Sequence, residues 1–338
     1  MKRFGKLVFV AIAALTLIAP QQGARAEPKE LRISRGFGIH YLALYVMEHQ
    51  HLIEKYAVAA GLGEIKVDWR AIDGGNVIND AMLAGALDIA STGVPGFLTL
   101  WAKSKGSPRA EIIGLGAAGA GSLWLNTRNP NVKTLADFSE KDRIAVPGIK
   151  TSFAAVVLQM AAAQSFGIEN YAKLDTLTVG ISHPDALAAM IGGKSEINSH
   201  FCSPPFSYLE LEDPSIHRVV NSVDVTGKLT IIMAFTTRAF HDANPKITKA
   251  FVQALGEATE FIGRNQHEAA RIYVELAKGK ATEAEIVRIL EDPDTNFTLT
   301  PAGVMKYADF MARAGTIRTK AGSWKELFTP LVHDRPGS

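Results

Sequence analysis

A ten-residue segment recurs in this chain 108 residues further on, and this repeat constrains the fold more than any other feature of the sequence. Residues 81–90 read AMLAGALDIA and residues 189–198 read AMIGGKSEIN. Alanine, methionine, an aliphatic residue, a small residue, glycine, an acid and isoleucine stand at the same offsets. Two copies this far apart indicate two similar lobes, because a solenoid has more copies at a much shorter period.

Two further matches occur in the same order along the chain. The pair Arg-Ile at 32–33, which precedes a glycine turn, recurs at 143–144 before Pro147-Gly148, at an offset of 111. We also align Lys-Val-Asp at 66–68 with Lys-Leu-Asp at 173–175. The three matches together predict that each lobe repeats the same order of elements.

Strands and helices alternate in the first copy. Short apolar runs at 31–34, 65–72 and 87–90 are typical of strands, apolar residues recur at helical spacing over 42–56, and a helix passes through 82–83. Alternation of this kind predicts an α/β fold in which each lobe is a mixed sheet flanked by helices.

Two segments are predicted to connect the lobes. The glycine-rich stretch 114–122 followed by 123–127 forms the first crossing, and 228–237 forms the strand that returns. We therefore expect lobe 1 to comprise 27–117 and 228–338, lobe 2 to comprise 118–227, and the hinge to lie near Gly121 and Thr226.

The chain is predicted to end in helices. Helical patterns cover 245–262, 268–276, 283–290 and 301–314. Thr282 and Thr300 stand where N-caps belong.

The N-terminus has the three parts of a secretory signal peptide. Lys2, Arg3 and Lys6 precede an apolar run at 7–19, and Ala24-Arg25-Ala26 supplies a small-residue cleavage site. The apolar run is shorter than the roughly 20 residues that span a bilayer, which disfavours a membrane anchor. We expect cleavage near Ala26 and a periplasmic product.

Charge and cysteine content narrow the possible partners. The chain has 36 basic and 34 acidic residues, and loss of residues 1–26 leaves 32 basic against 34 acidic. This balance argues against a nucleic-acid partner. A single cysteine, Cys202, excludes an intrachain disulfide. We expect a monomer.

Candidate ligand-binding residues follow from the predicted fold. In open α/β sheets the ligand lies beyond the carboxyl ends of the strands, where helix N-termini offer free N–H groups and partial positive charge. The turns that meet this description contain Gly38, His40, Tyr41, Gly75, Asn76, Thr92, Gly93, Thr151, Ser152, Phe153, His183, His200 and Phe201.

Each type of candidate has a structural alternative. The glycines also fit turns with positive φ, and Thr151 and Ser152 also fit helix caps. His40, His183 and His200 can donate hydrogen bonds to a ligand, whereas a single histidine is more often structural. Aromatic candidates can form a wall for a flat ligand or pack in the core.

Enzyme signatures are absent from the sequence. It contains no Gly-x-Ser-x-Gly, His-Glu-x-x-His, phosphate loop or Cys-x-x-Cys motif, which favours binding over catalysis and predicts no cofactor and no metal. His200 and Cys202 could form a nucleophile pair, but we expect them on opposite faces of a strand. His49 and His51 do not share a helix face and predict no metal site.

The sequence resembles the periplasmic substrate-binding proteins of nitrate, sulfonate and taurine ABC importers, a group that includes binders of thiamine pyrimidine precursors. The likeness covers about 31–275 and rests on LAGALDIA at 83–90 with Thr92-Gly93, on VKTLAD at 132–137 before Pro147-Gly148, and on IGGKSEIN at 191–198. Residues 200–205, HFCSPP, differ from the Trp-Asp-Pro-Tyr-like segment typical of sulfonate binders.

This resemblance implies a two-lobed fold with two chain crossovers, known as type II, that closes around a small ligand. It implies an ABC permease and its ATPase as partners. The ligand stays open between a sulfonate, nitrate, an aromatic acid and a pyrimidine-like compound. A ligand-presenting sensor domain and an enzyme of the thiamine-pyrimidine branch are the alternatives.

Overall fold

Ten strands form the framework of the protein in a computed structural model that describes residues 27–338. The predicted signal peptide, 1–26, lies outside the described residues. The strands are β1 (Glu30–Arg35), β2 (Lys66–Ala71), β3 (Ile89–Gly93), β4 (Ile112–Ala120), β5 (Trp124–Thr127), β6 (Ile144–Val146), β7 (Thr178–Gly180), β8 (Ser199–Cys202), β9 (His217–Asn221) and β10 (Thr230–Thr237).

Fourteen α-helices accompany these strands within 27–338. They are α1 (Leu42–His49), α2 (Leu52–Ala59), α3 (Gly75–Leu83), α4 (Val94–Ser104), α5 (Phe153–Phe166), α6 (His183–Gly192), α7 (Phe206–Glu210), α8 (Ser222–Thr226), α9 (Arg238–Ala243), α10 (Pro245–Arg264), α11 (Gln266–Ala277), α12 (Glu283–Leu290), α13 (Val304–Arg313) and α14 (Trp324–Leu327). None of these helices is long and apolar enough to span a bilayer.

The strands pair into two five-stranded mixed sheets of matching topology. Lobe 1 carries the order β2-β1-β3-β10-β4 and lobe 2 the order β7-β6-β8-β5-β9. In both sheets the strand at the second position lies parallel to its two neighbours, and the fourth is antiparallel to the strands on either side. The predicted fold of two lobes, each a mixed sheet flanked by helices, is confirmed.

The repeat in the sequence marks equivalent elements in the two lobes. Residues 81–90 run from the end of α3 into β3, and residues 189–198 run from the end of α6 to the start of β8. The third match is wrong, because 173–175 lie in turns ahead of β7 whereas 66–68 lie within β2. Three identical or similar residues were too few to fix a strand register.

The chain passes between the sheets twice. Residues 121–123 join β4 to β5, and α8 with the residues after it joins β9 to β10. Most of the glycine-rich stretch predicted as a crossing is therefore β4 itself. Its glycines admit close neighbours, since a Cβ on Gly114 would stand 2.5 Å from the ring of Phe328. The predicted lobe limits at 117/118 and 227/228 stay a prediction.

Two local predictions differ from the structure. The helix predicted over 42–56 is divided into α1 and α2, because His51 adopts a left-handed conformation with φ of 51°. Thr282 caps α12 with a capping box, as expected, whereas α13 begins after Gly303 rather than after Thr300. The left-handed backbone of Gly303, with φ of 68°, is not helical and delays the start of that helix.

Candidate functional site

A cavity of about 40 Å³ lies between the two lobes, where the carboxyl ends of their parallel strands face each other. Its walls come from both lobes and from the first crossing. The lining residues are Phe37, His40, Tyr41, Asp73, Gly74, Gly75, Thr92, Gly93, Leu123, Pro147, Ser152, Phe153, Ala154, His183, Ser203, Ile231 and Ile232.

Four helices begin at this cavity. Helices α3 and α4 start from lobe 1 with the N-caps Gly74 and Gly93, and α5 and α6 start from lobe 2 with the N-caps Ser152 and Ser182. The first N–H groups of a helix have no partner within the helix and carry partial positive charge. The cavity therefore offers backbone donors from four directions.

The lobes touch each other around the cavity. Ile39 N donates to Pro204 O at 2.7 Å, and Thr151 Oγ1 donates to Asn76 Oδ1 at 2.6 Å. A third bond runs from His183 N to Asp73 Oδ2 at 3.2 Å, so a carboxylate of lobe 1 caps the first turn of α6 in lobe 2. These contacts hold the cleft in a closed arrangement.

Gly93 permits a close approach of the lobes. Its φ of −60° and ψ of 147° suit any residue. A Cβ built there would nevertheless stand 2.9 Å from Cβ and 3.1 Å from N of Phe153, which belongs to lobe 2. Glycine is thus needed at this position for closure rather than for the backbone of lobe 1.

Burial sets the charge of the groups that line the cavity. It lowers the pKa of His40 to about 3, and it lowers the pKa of His183 well below the usual value, with the neighbouring His200 and His40 acting in the same direction. Burial also raises the pKa of Asp73, against the effect of its bonds from His183 N and Gly74 N. Both imidazoles are therefore neutral at pH 7.

A buried polar network lies directly behind the cavity in lobe 2. His183 Nδ1 is 2.8 Å from His200 Nε2, and His200 Nδ1 is 2.6 Å from Glu210 Oε1. The second carboxylate oxygen, Oε2, accepts from Asn126 Nδ2 at 2.9 Å and from Cys202 Sγ at 3.1 Å. His200, Cys202, Glu210 and Asn126 are all fully buried.

The expected placement of His200 and Cys202 on opposite faces of β8 is wrong. Residues two apart on a strand share a face, and both side chains reach Glu210 from that face. Burial is the main cause that raises the pKa of the Cys202 thiol well above its usual value, with the charge of Glu210 adding to it. A protonated thiol that does not line the cavity is not an activated nucleophile.

His200, Cys202 and Glu210 are also the one group within 27–338 whose side chains could together hold a metal ion. Their donor atoms lie within 4.8 Å of one another. Metal binding would require a thiolate and would displace the protons that these hydrogen bonds share. The raised thiol pKa opposes this change.

Most predicted site residues meet at the cavity. Its lining includes His40, Tyr41, Gly75, Thr92, Gly93, Ser152, Phe153 and His183. Asn76 and Thr151 bond to each other across the cleft at its exposed rim. Gly38 packs against Ser203, beside the cavity. His200 lies behind His183, and Phe201, on the other face of β8, is part of the hydrophobic core.

The prediction omitted several lining residues. Asp73 lies two residues after the end of β2 and precedes a Gly-Gly turn, so the rule that ligands lie at the carboxyl ends of strands would have selected it. The same rule would have selected Phe37, which lies two residues after the end of β1. Leu123 lies in the first crossing and Ile231 and Ile232 lie at the start of β10, where apolar residues give no local signal.

Two mixed sheets of matching topology, with a cavity between them, define the class as the periplasmic-binding-protein fold. The sequence profile of the NMT1-like family matches residues 24–278, and the chain belongs to that family. No curated protein matches the chain at a significant level.

Solved structures with the same fold include proteins of known ligand. The alkanesulfonate-binding protein SsuA from Xanthomonas axonopodis pv. citri, bound to MOPS, has 18% identity and a TM-score of 0.67, covering 90% of this chain and 98% of that one. The aliphatic sulphonate binding protein SsuA from Escherichia coli has 18% identity and a TM-score of 0.62, covering 89% and 99%. The nitrate-binding protein NrtA from Synechocystis PCC 6803 has 13% identity and a TM-score of 0.60, covering 80% and 74%.

Proposed function

We propose that this protein is the periplasmic solute-binding component of an ABC importer, exported by residues 1–26, which captures a small molecule between its lobes and delivers it to a permease and its ATPase. The observation that carries the proposal is the cavity built jointly by two lobes at four helix N-termini. Ligand contacts made by both lobes are available only when the cleft is closed, so binding favours closure.

The lining favours a flat ligand without a permanent negative charge. Among the residues that the structure describes, none of those lining the cavity is arginine or lysine, and Asp73 adds a carboxylate. His40 and His183 are neutral, which removes the remaining source of side-chain positive charge. Phe37 and Phe153 supply aromatic surface. We therefore rank pyrimidine-like compounds above aromatic acids, nitrate and alkyl sulfonates, which are all anions at pH 7.

A thermal-shift screen tests this function. The protein without residues 1–26 is melted with pyrimidines, aromatic carboxylates, alkyl and aryl sulfonates, taurine and nitrate. A ligand at about a hundred times its Kd should add about 2.7 kcal/mol to the free energy of unfolding. We expect a shift with a pyrimidine. A shift with nitrate or taurine alone would contradict the ranking, and none with any compound would contradict import of these nutrients.

Replacing Gly93 by valine should prevent closure without unfolding lobe 1. The new side chain meets Phe153 of the opposite lobe at 2.9 Å, and overpacking of this kind costs about 1–3 kcal/mol, or about 5- to 150-fold in the closed population. We expect ligand affinity to fall by a similar factor while the melting temperature of the free protein changes little.

The arrangement of the lobes can be measured in the same variant. Spin labels at L83C and I191C lie on exposed ends of α3 and α6, one in each lobe, and Cys202 is fully buried and should escape labelling. We expect a longer distance in G93V than in the parent. Gly263→Ala is the control, because no atom lies within 4 Å of a Cβ at that position. An unchanged distance in G93V would show that Phe153 moves aside.

A further inference from the structure

A continuous line of hydrogen bonds leads from the cavity wall into the interior of lobe 2. It runs from His183 through His200 to Glu210, with heavy-atom distances of 2.8 and 2.6 Å. His183 lines the cavity, while His200 and Glu210 are fully buried. Because Nδ1 of His183 is engaged with His200, Nε2 is the ring nitrogen left for a ligand.

The partners of Glu210 determine where the protons lie. Its carboxylate lies within hydrogen-bond distance of His200 Nδ1, Asn126 Nδ2 and Cys202 Sγ. An ionised carboxylate can accept hydrogen bonds but cannot donate them, so each of these three atoms is the donor. His200 therefore carries a proton on Nδ1, and in its neutral form accepts at Nε2 from His183 Nδ1. The remaining nitrogen of His183, Nε2, then has a bare lone pair.

We propose that His183 accepts a hydrogen bond from a protic ligand through Nε2, and that His200 and Glu210 are positioning residues that store the proton of an acidic ligand. This proposal rests on the proposed function and specifies its ligand class: a weak acid with an N–H or O–H group. Nitrate, simple alkyl sulfonates and aromatic carboxylates carry no such proton at neutral pH.

The proton transfer balances within the three residues. The ligand X–H bond breaks and an N–H bond forms at Nε2 of His183, while the Nδ1 proton of His183 passes to Nε2 of His200. The positive charge then rests on His200 beside the Glu210 carboxylate, and the ligand anion accepts a hydrogen bond from His183. The cavity thereby acquires a counter-charge that no arginine or lysine in its lining provides.

Groups on the neighbouring elements also face the line of hydrogen bonds from His183 through His200 to Glu210. Asp73 accepts from the backbone N of His183, and His40 and Tyr41 lie across the cavity. The ring of Phe206 stacks on His183 with centroids 5.6 Å apart and an interplanar angle of 19°. Among Asp73, His40, Tyr41 and Phe206, only Asp73 favours a positive charge on His183, because only Asp73 can carry a negative charge. Asp73 is not part of the hydrogen-bonded line from His183 to Glu210.

Nitrogen-15 NMR of histidine-labelled, ligand-free protein tests the proton positions without any variant. We expect both His183 and His200 to be protonated at Nδ1, with assignments from single histidine-to-glutamine variants. A His183 protonated at Nε2 would overturn the proposal. Because no ligand is present, this result is independent of whether the protein binds any compound in the thermal-shift screen.

Titration of the same signals tests proton storage. Glu210→Gln keeps an oxygen that accepts from His200 Nδ1 but removes the charge, so the midpoint at which His183 takes up a proton should fall further, by about 1 to 3 pH units. Amide spectra verify that the variant is folded. E212Q, an exposed glutamate nearby, is the control. An equal midpoint in E210Q and the parent would overturn the role of Glu210.

Discussion

Lowering the pH from 7 to 4 should remove about 3 kcal/mol from the free energy of unfolding through His40 alone. Burial lowers the pKa of this imidazole to about 3, whereas histidine in an unfolded chain has a pKa near 6.5. Between these two values the unfolded state binds a proton that the folded state excludes. Stability is therefore complete above about pH 6.5 and falls as the pH drops, by up to about 1.4 kcal/mol per pH unit, until about pH 3.

Urea unfolding of the parent and H40L at several pH values measures this contribution. Leucine fills a similar volume and cannot take up a proton, so the pH profile of H40L should be flatter by about 3 kcal/mol between pH 7 and 4. The pKa of His183 is lowered in the same direction, and its contribution remains in both proteins. H267Q, which replaces an exposed imidazole, is the control and should keep the parental slope. Parallel profiles for H40L and the parent would show that His40 is solvated.

His40 also shows how the hinge region depends on glycine. Its Nε2 atom has no hydrogen-bond partner, and a Cβ on Gly121 would stand 2.5 Å from that atom. The first crossing thus packs directly on a cavity residue of lobe 1. If the predicted hinge at Gly121 moves, the surroundings of His40 must change with it.

The repeated segment was sufficient to predict the two-lobed fold because each copy contains a whole helix–turn–strand unit. In such a unit the residue spacing that predicts the helix and the strand also predicts their place in the fold, since the strand that follows the helix joins the same sheet. The limits of the elements were harder to predict where single residues decide them. The left-handed His51 divides a continuous apolar pattern, and Gly303 rather than Thr300 begins α13.

The candidate site was predicted where it depends on chain order and missed where it depends on packing. His183 and Gly93 lie at strand-to-helix turns, which the sequence locates. Phe201 and His200 are neighbours on one strand, yet one faces the core and the other faces α7, and only the tertiary packing decides which. The contact of Ile231 and Ile232 with the cavity depends on pairing with strands more than 100 residues away.

Replacing Glu210 by alanine should destabilise the protein by about 3–5 kcal/mol. The substitution leaves three fully buried donors, on His200, Asn126 and Cys202, without their shared acceptor, and a buried donor that loses its acceptor costs about 1–3 kcal/mol. It also opens a cavity between α7 and β8. The midpoint of urea denaturation should fall while the slope of the transition stays constant.

Glu212→Ala is the matched control for this prediction. Glu212 is two residues further along and exposed, and the pKa of its carboxyl is raised mainly by a hydrogen bond with Glu285, so its removal relieves a contact between two acids. Its effect should stay within about 0.5 kcal/mol, as for most surface substitutions. If E210A lost less than about 1 kcal/mol, water would have replaced the carboxylate as acceptor for His200. The Glu210 carboxylate would then not be needed to hold His200 and His183 in place, and the hydrogen bonds behind the cavity would have only a structural role.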